Sequence, residues 1–244
     1  MTMDDELDQL LSSLKLSRIR EVLDERLAAA TTDGIAYTEL IRRLLREEHH
    51  AQQIRFLEAR VSRAGLPERW PLETFPWDRQ PAVQRAVIEQ LANLDFVGNA
   101  YNIVFIGPTG VGKTGLASGI LLKALLAGRR CLFMSAQNLF DDMFRSLADH
   151  SSRKLLDRVM RMDVLQIDEL GYLNLRPEQS NIFFKLMEER HTRRLCTIIT
   201  TNLDFEEWYG FLGQKPMVQA LLDRLRHRCH TIRIDGPSLR TPTG

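Results

Sequence analysis

The residues Gly107-Pro108-Thr109-Gly110-Val111-Gly112-Lys113-Thr114 fit the pattern G-x-x-x-x-G-K-[ST] at every fixed position. The chemistry this spacing supports is the holding of a polyphosphate. The glycines let successive backbone N–H groups turn inward around phosphate oxygens, and a helix opening at Lys113 adds its positive dipole end. Lys113 is then expected to reach the β- and γ-phosphates and the Thr114 hydroxyl to ligate Mg²⁺. Further along, Asp168-Glu169 closes an apolar run and Asn202 closes the next one. Asp168 is expected to hold Mg²⁺ through its water shell, and Glu169 to orient or deprotonate the water that attacks the γ-phosphate. Asn202 could hold the same water. The bland alternatives are a glycine turn with a stray lysine and ordinary strand-end caps. The strand ahead of the loop and the helix behind it favour the phosphate site.

Two arginines near the end of the chain, Arg224 in Leu221-Leu222-Asp223-Arg224-Leu225 and Arg240 in Ser238-Leu239-Arg240, are not assigned by composition or spacing. Arg226, Arg228 and Arg233 are equally basic neighbours. His227-Arg228-Cys229-His230 has metal-ligand residue types, but no second ligand cluster accompanies it.

The elements that must position these groups alternate. Tyr101–Ile106 is a short apolar run suited to a buried parallel strand. A helix over Leu116–Leu126, closed by Gly128, follows it. Strands are expected at Cys131–Ser135, Asp163–Glu169 and Leu195–Asn202, with helices at Asn138–Leu147, Arg153–Met160 and Pro177–His191. This alternation predicts an α/β unit, a mostly parallel sheet flanked by helices. Ligands in such sheets sit at the carboxyl ends of the strands, where the glycine loop, the acids and Asn202 converge.

Ahead of this unit the pattern is helical throughout. Leu7, Leu10, Leu11 and Leu14 keep helical spacing, Ile19, Leu23 and Leu27 continue it, and a longer helix runs from about Thr38 to Ala64. Its stripe is Leu40, Ile41, Leu44, Leu45, Ile54, Leu57 and Val61, and Gly65 with Pro67 ends it. Its other faces carry six arginines, Arg42, Arg43, Arg46, Arg55, Arg60 and Arg63, interleaved with glutamates. They make either a solvated face or a contact surface for DNA or protein. Trp70-Pro71 and Phe75-Pro76-Trp77 form a proline- and aromatic-rich joint. It places the boundary between a small all-helical N-terminal domain, 1–69, and a nucleotide-binding domain, 70–244. The aromatics are expected to pack between domains rather than beside a base. A helix from Pro81 to about Leu94 leads into the first strand.

Composition bounds the partners. With 244 residues and a formal net charge of +1, no whole-molecule field draws the chain to nucleic acid. Binding of that kind must use local patches. Three widely spaced cysteines argue against a disulfide framework and fit a reducing cytosol. The acidic start is not a signal peptide, and the most apolar helix is too short to span a bilayer. The expected location is cytoplasmic.

Gly107–Thr114, the run Asp168-Glu169-Leu170-Gly171-Tyr172, Thr201-Asn202-Leu203 with Glu207-Trp208, and Leu222-Asp223-Arg224-Leu225 occur in an order and spacing that resembles the IstB-like ATPases. These are the transposition helper proteins of insertion sequences. They are similar to DnaC replicative helicase loaders, and both belong to the AAA+ class of P-loop NTPases. The likeness covers most of the chain, including the leucine-rich N-terminal helices and Leu94-Asp95-Phe96-Val97. It implies that Lys113 and Thr114 are Walker A residues, Asp168 and Glu169 Walker B, Asn202 sensor 1, Arg224 an arginine finger acting on a neighbouring subunit's nucleotide, and Arg240 sensor 2. It implies ATP and Mg²⁺ as ligands, and double-stranded DNA, a homo-oligomer and a partner transposase as the assembly. A helicase loader has the same chemistry with a different partner. A small-molecule kinase and a scaffold that binds ATP without hydrolysing it are the rivals from other classes, and Glu169 beside Asp168 argues against both. Three positions depart from the family pattern: Gly115 for the usual histidine, Leu239 for the usual tyrosine, and Gln166 within the otherwise apolar Walker B strand.

Overall fold

The computed structural model describes residues 5–148, 151–171, 175–213 and 216–240. Tyr172, at the end of the acid-bearing motif, lies outside them. The chain divides into two compact units, Met1–Ala59 and Arg60–Gly244.

In the first unit, helices α1 (Asp5–Ser13) and α2 (Ser17–Asp33) precede the long α3 (Tyr37–Ala64). Gly34, at φ +65°, caps α2 in the left-handed conformation. A small core forms from Leu11, Ile19, Val22, Leu23, Ala30, Leu40 and Leu44. The apolar stripes narrow on folding. Leu10 on α1, Leu14 just after it, and Ile41, Leu45 and Ile54 on α3 remain exposed, because so small a helical unit has one thin interior to fill. Three of the α3 arginines are held in ion pairs, Arg42 and Arg43 with Glu39 and Arg55 with Glu48.

Helix α2 starts without a capping side chain, since Leu16 occupies its N-cap. Glu48 of α3 supplies the cap instead. Its buried carboxylate accepts the N–H groups of Arg18 at 2.7 Å and Ile19 at 3.0 Å, and a bond from Arg55 at 2.7 Å. Burial works to raise its pKa, but these donors outweigh it and hold the group below the usual glutamate value. A carboxylate with a lowered folded-state pKa contributes stability above its unfolded pKa, near 4.3, and loses it as pH falls through the folded value. Glu48→Gln is therefore expected to cost about 1–2 kcal/mol at neutral pH. The gap from wild type should close in melts taken progressively below about pH 4. A gap that persists at low pH would assign the loss to shape rather than charge.

The second unit is a five-stranded sheet of β1 (Asn102–Ile106), β2 (Cys131–Ser135), β3 (Val164–Leu170), β4 (Cys196–Thr201) and β5 (Cys229–Arg233). The strand order is β2-β3-β4-β1-β5 and every pairing is parallel. Helices α4 (Arg85–Ala92), α5 (Asp95–Asn99), α6 (Lys113–Leu126), α7 (Ala136–Ala148), α8 (Ser152–Met160), α9 (Pro177–Thr192), α10 (Trp208–Leu212) and α11 (Pro216–His227) flank it. The helix expected from Pro81 to about Leu94 is the shorter α4, Arg85–Ala92, and α5 follows beyond Leu94, whose φ is +68°, where no helix was anticipated. β5 was not anticipated: Cys-His-Thr-Ile-Arg lies at the sheet edge and lacks the apolar run that marks its neighbours. Every residue of β1 and β4 is buried.

Two buried polar side chains have clear partners. Gln166, which interrupts β3, donates its amide to the Ser118 hydroxyl of α6 at 3.1 Å. Arg190, almost wholly buried, bonds Thr197 Oγ1 and the carbonyls of Val159, Met162 and Cys196. Burial pulls its pKa down to about 10, and the ring of carbonyl acceptors stands in for a carboxylate partner. The three cysteines are free thiols, and burial raises the pKa of each.

Candidate active site

The loop between β1 and α6 lies at the carboxyl end of β1. Gly110 and Gly112 have φ values of +87° and +96°, backbone that side-chain-bearing residues rarely adopt. Space forbids a side chain there too. A Cβ on Gly110 would stand 2.3 Å from the Ser238 hydroxyl, and one on Gly112 would stand 2.8 Å from the Phe75 ring.

Lys113 opens α6. Its ammonium donates to the carbonyls of Gly107 and Pro108, each at 2.7 Å, so it lies curled over its own loop. Burial lowers its pKa most. The carboxylates of Asp168 and Glu169 oppose this, and the charge of Arg240 adds to it. Thr114 donates to Asp168 at 3.1 Å. Thr200, on neighbouring β4, donates to the other Asp168 oxygen at 2.7 Å and accepts the N–H of Glu169 at 2.9 Å. One threonine thus fixes both acids. Burial pushes the Asp168 pKa up, against the hydrogen bonds from Thr200 and Thr114.

Glu169 leaves the sheet pattern. Its φ of +59° is left-handed, and the β3–β4 register shifts between Ile167 and Leu170. Such an irregularity re-aims a side chain. Here it turns Glu169 outward into the same cavity as Lys113, while its flanks Asp168 and Leu170 stay buried. A left-handed residue with a Cβ costs about 1–2 kcal/mol, which the Thr200 contact and the adjoining ladder must offset.

That cavity, of about 330 Å³, runs from Thr109–Gly115 to a wall of Trp70, Pro71, Phe75 and Pro76, with Leu239 and Arg240 on its rim. The expected packing of these aromatics between domains is corrected: Phe75 and Trp70 lie against Gly112 and Gly115 of the nucleotide-binding unit. The departure at Gly115 leaves room for the Trp70 indole, whose ring lies 3.5 Å from where a Cβ would be.

Asn202 borders a second opening beside Gly107–Thr109, and its buried Oδ1 has no hydrogen-bond partner. Arg240 joins Lys113 in the main cavity. Arg224 does not. It lies on α11, half-exposed, 3.4 Å from Glu188, in a groove shared with Asn102 and Thr197 at the starting ends of β1 and β4. The loop is at the opposite end of β1, about 16 Å away at strand rise. The site residues that sequence reasoning missed are Thr200, Trp70 and Phe75. Trp70 and Phe75 carried a signal, an aromatic pair shortly before a phosphate loop, while Thr200 carried none.

The donor set fits a magnesium nucleotide: a hydroxyl and a carboxylate already paired, an ammonium on exchangeable carbonyls, and an aromatic wall. A parallel sheet of this order, with the phosphate loop at the end of an interior strand, defines a P-loop NTPase of the AAA+ class. The fold is similar to that in the crystal structure of DnaI (TM-score 0.53, 25% identity, 62% of this chain and 84% of that one). It is also similar to AMPPCP-bound DnaA from Aquifex aeolicus (TM-score 0.58, 19% identity, 70% and 51%). Within that class the chain belongs to the IstB-like ATP-binding proteins, whose family model matches residues 9–243. The ATP-binding protein of insertion sequence IS21 from Pseudomonas aeruginosa is 34% identical over 96% of this chain and 88% of its own length. That of IS5376 from Geobacillus stearothermophilus is 34% identical over 90% and 88%.

Proposed function

We propose that this chain is an ATP-dependent, DNA-binding helper of transposition. It hydrolyses ATP as an oligomer on target DNA and assists the transposase of its own insertion sequence. The observation that carries the ATPase part is the convergence of Lys113, the Thr114–Asp168 pair and the outward-turned Glu169 on one cavity. In this reading the loop N–H groups and Lys113 bind the β- and γ-phosphates, Lys113 exchanging its two carbonyl partners for phosphate oxygens. Thr114 and Asp168 would hold Mg²⁺, which when bound neutralises developing phosphate charge. Glu169 accepts the proton of the attacking water, and Asn202 holds that water with its unpartnered Oδ1. Trp70 and Phe75 flank the base. Arg240 adds charge to the phosphates in its own subunit, and Arg224 serves a neighbour's. The division of labour follows the proposed domains: 70–244 carries the ATPase, and 1–69 meets DNA, the partner or another copy.

A DnaC-like helicase loader is the second reading, favoured by the fold likeness to DnaI and to the DnaC helicase loader (TM-score 0.54, 22% identity). The insertion-sequence names of the relatives matched across most of the chain weigh for transposition. Among the described residues no helix is long and apolar enough to cross a membrane.

The DNA part is tested by salt titration of duplex binding with and without ATP. At net charge +1, binding must come from local cations multiplied by assembly. With ATP, affinity should fall by about 10³ or more between 50 and 200 mM salt if at least six phosphates are neutralised. It should vary little with sequence. Tight binding by a monomer, indifferent to salt and nucleotide, would sink this part of the reading.

A further inference from the structure

After β5 the chain turns back over the phosphate loop as a strap. The Ile234 N–H donates to the Ile106 carbonyl at 2.9 Å, and the Leu239 N–H donates to the Gly110 carbonyl at 2.8 Å. Between these anchors a side chain from far upstream enters. Gln80 follows the short 3-10 turn at Trp77–Arg79 and is completely buried. Its amide nitrogen donates to two carbonyls at once, Val111 in the phosphate loop at 3.1 Å and Pro237 in the strap at 3.0 Å. Its Oε1 has no hydrogen-bond partner and faces Gly236, where a Cβ would come within 1.7 Å. This settles which way the amide points, since reversing it would set Oε1 against two carbonyl oxygens.

We propose that Gln80 is a positioning residue for nucleotide binding, its amide tying the apex of the phosphate loop to the C-terminal strap. The proposal rests on the reading of the cavity as an ATP site. The physical reason is the planar trans peptide. The Val111 carbonyl and the Gly112 N–H point in opposite directions from one rigid plane. Pinning the carbonyl to Gln80 aims that N–H away from Gln80, to the other side of the loop. Gly112 has no Cβ to resist a flip of this plane, so the hold must come from outside the loop. The same amide fixes Pro237, two residues before Leu239 on the cavity rim. Loop and rim are therefore tied by this side chain as well as by the Leu239–Gly110 backbone bond.

The test compares wild type with Gln80→Leu, which keeps bulk and removes both donors, and with Gly236→Ala, which pushes a methyl group into Oε1. Two quantities are read: hydrogen exchange of the Leu239 amide without nucleotide, and equilibrium affinity for MgATP. Both variants are expected to exchange at least tenfold faster at Leu239 and to bind ATP about tenfold more weakly, a single hydrogen bond's worth. The loss should appear in KM, with kcat at saturating ATP within about twofold of wild type. Gly236→Ala leaves Gln80 in place and serves if Gln80→Leu does not fold. Lowered melting temperatures with unchanged Leu239 exchange and unchanged ATP affinity overturn the positioning role. A wild-type chain that binds no MgATP overturns the reading of the site, and this role with it.

Discussion

Arg224→Ala should bind ATP as wild type does and lose turnover by about 10³–10⁵, the usual worth of an arginine finger. The expectation rests on the arginine-finger role proposed above, and the placement of the side chain bears only on which subunit it could serve. Arg224 stands at the starting ends of β1 and β4, half-exposed, with one long contact to Glu188. Its own phosphate loop lies at the other end of β1. No rotamer carries a guanidinium across the sheet, so any action on a γ-phosphate must be on a neighbour's. The distinguishing measurement mixes two inactive variants, Lys113→Ala and Arg224→Ala. An interface that pairs the intact loop of the second with the intact Arg224 of the first contains every catalytic group. Turnover plotted against mixing ratio, with DNA present and co-assembly verified, should rise from background to a maximum at intermediate ratios. A flat line despite co-assembly would leave Arg224 as a surface arginine paired with Glu188.

The second large effect separates binding from hydrolysis. Lys113→Ala removes the main side-chain charge facing the phosphates and should abolish ATP binding at any practical concentration. Glu169→Gln should bind ATP normally and hydrolyse it about 10²–10⁴ times more slowly, the usual contribution of a general base. The amide keeps the size of the carboxylate, and the left-handed backbone and the N–H bond to Thr200 do not depend on its charge. Equilibrium binding and single-turnover hydrolysis on both variants check the pair. Wild-type turnover in Glu169→Gln would remove Glu169 from the mechanism and require another group to activate the water.

What the sequence made legible was local. The loop at Gly107–Thr114 has a fixed spacing, and β1, β3 and β4 are apolar runs long enough to stand out. β5 was not readable, because an edge strand in which no residue is fully buried tolerates His230 on one face and Arg233 on the other. The role of Thr200 was hidden for another reason. Its hydroxyl matters only because β4 lies beside β3 and brings it within 2.7 Å of Asp168, and strand adjacency is not written in any one segment. Trp70 and Phe75 were visible as an aromatic joint, but which surface they cover depends on how the chain returns over α6. The different placements of Arg224 and Arg240 were equally out of reach. Both are arginines in leucine-bearing contexts, and only the fold sets one in the cavity and the other across the sheet.

The position of β1 between β4 and β5 has a consequence for how the molecule comes into being. The strand that carries the phosphate loop hydrogen-bonds only to β4 and β5, the last two strands of the chain. Other long-range ties are just as distant: 54 residues separate Thr114 from Asp168 and 157 separate Gln80 from Pro237 at the loop, and 95 separate Asn102 from Thr197 at the far end of the sheet. Closing such loops costs entropy before any contact rewards it, so sheets of this kind form slowly. During synthesis the loop emerges before both of its flanking strands, β4 and β5. Nucleotide then binds only molecules that have completed the sheet, and it draws the folding equilibrium toward them by mass action. A product that stops before β5 keeps β4 beside the P-loop strand but leaves that strand's other edge unpaired, and it lacks the strap that meets the loop at Gly110.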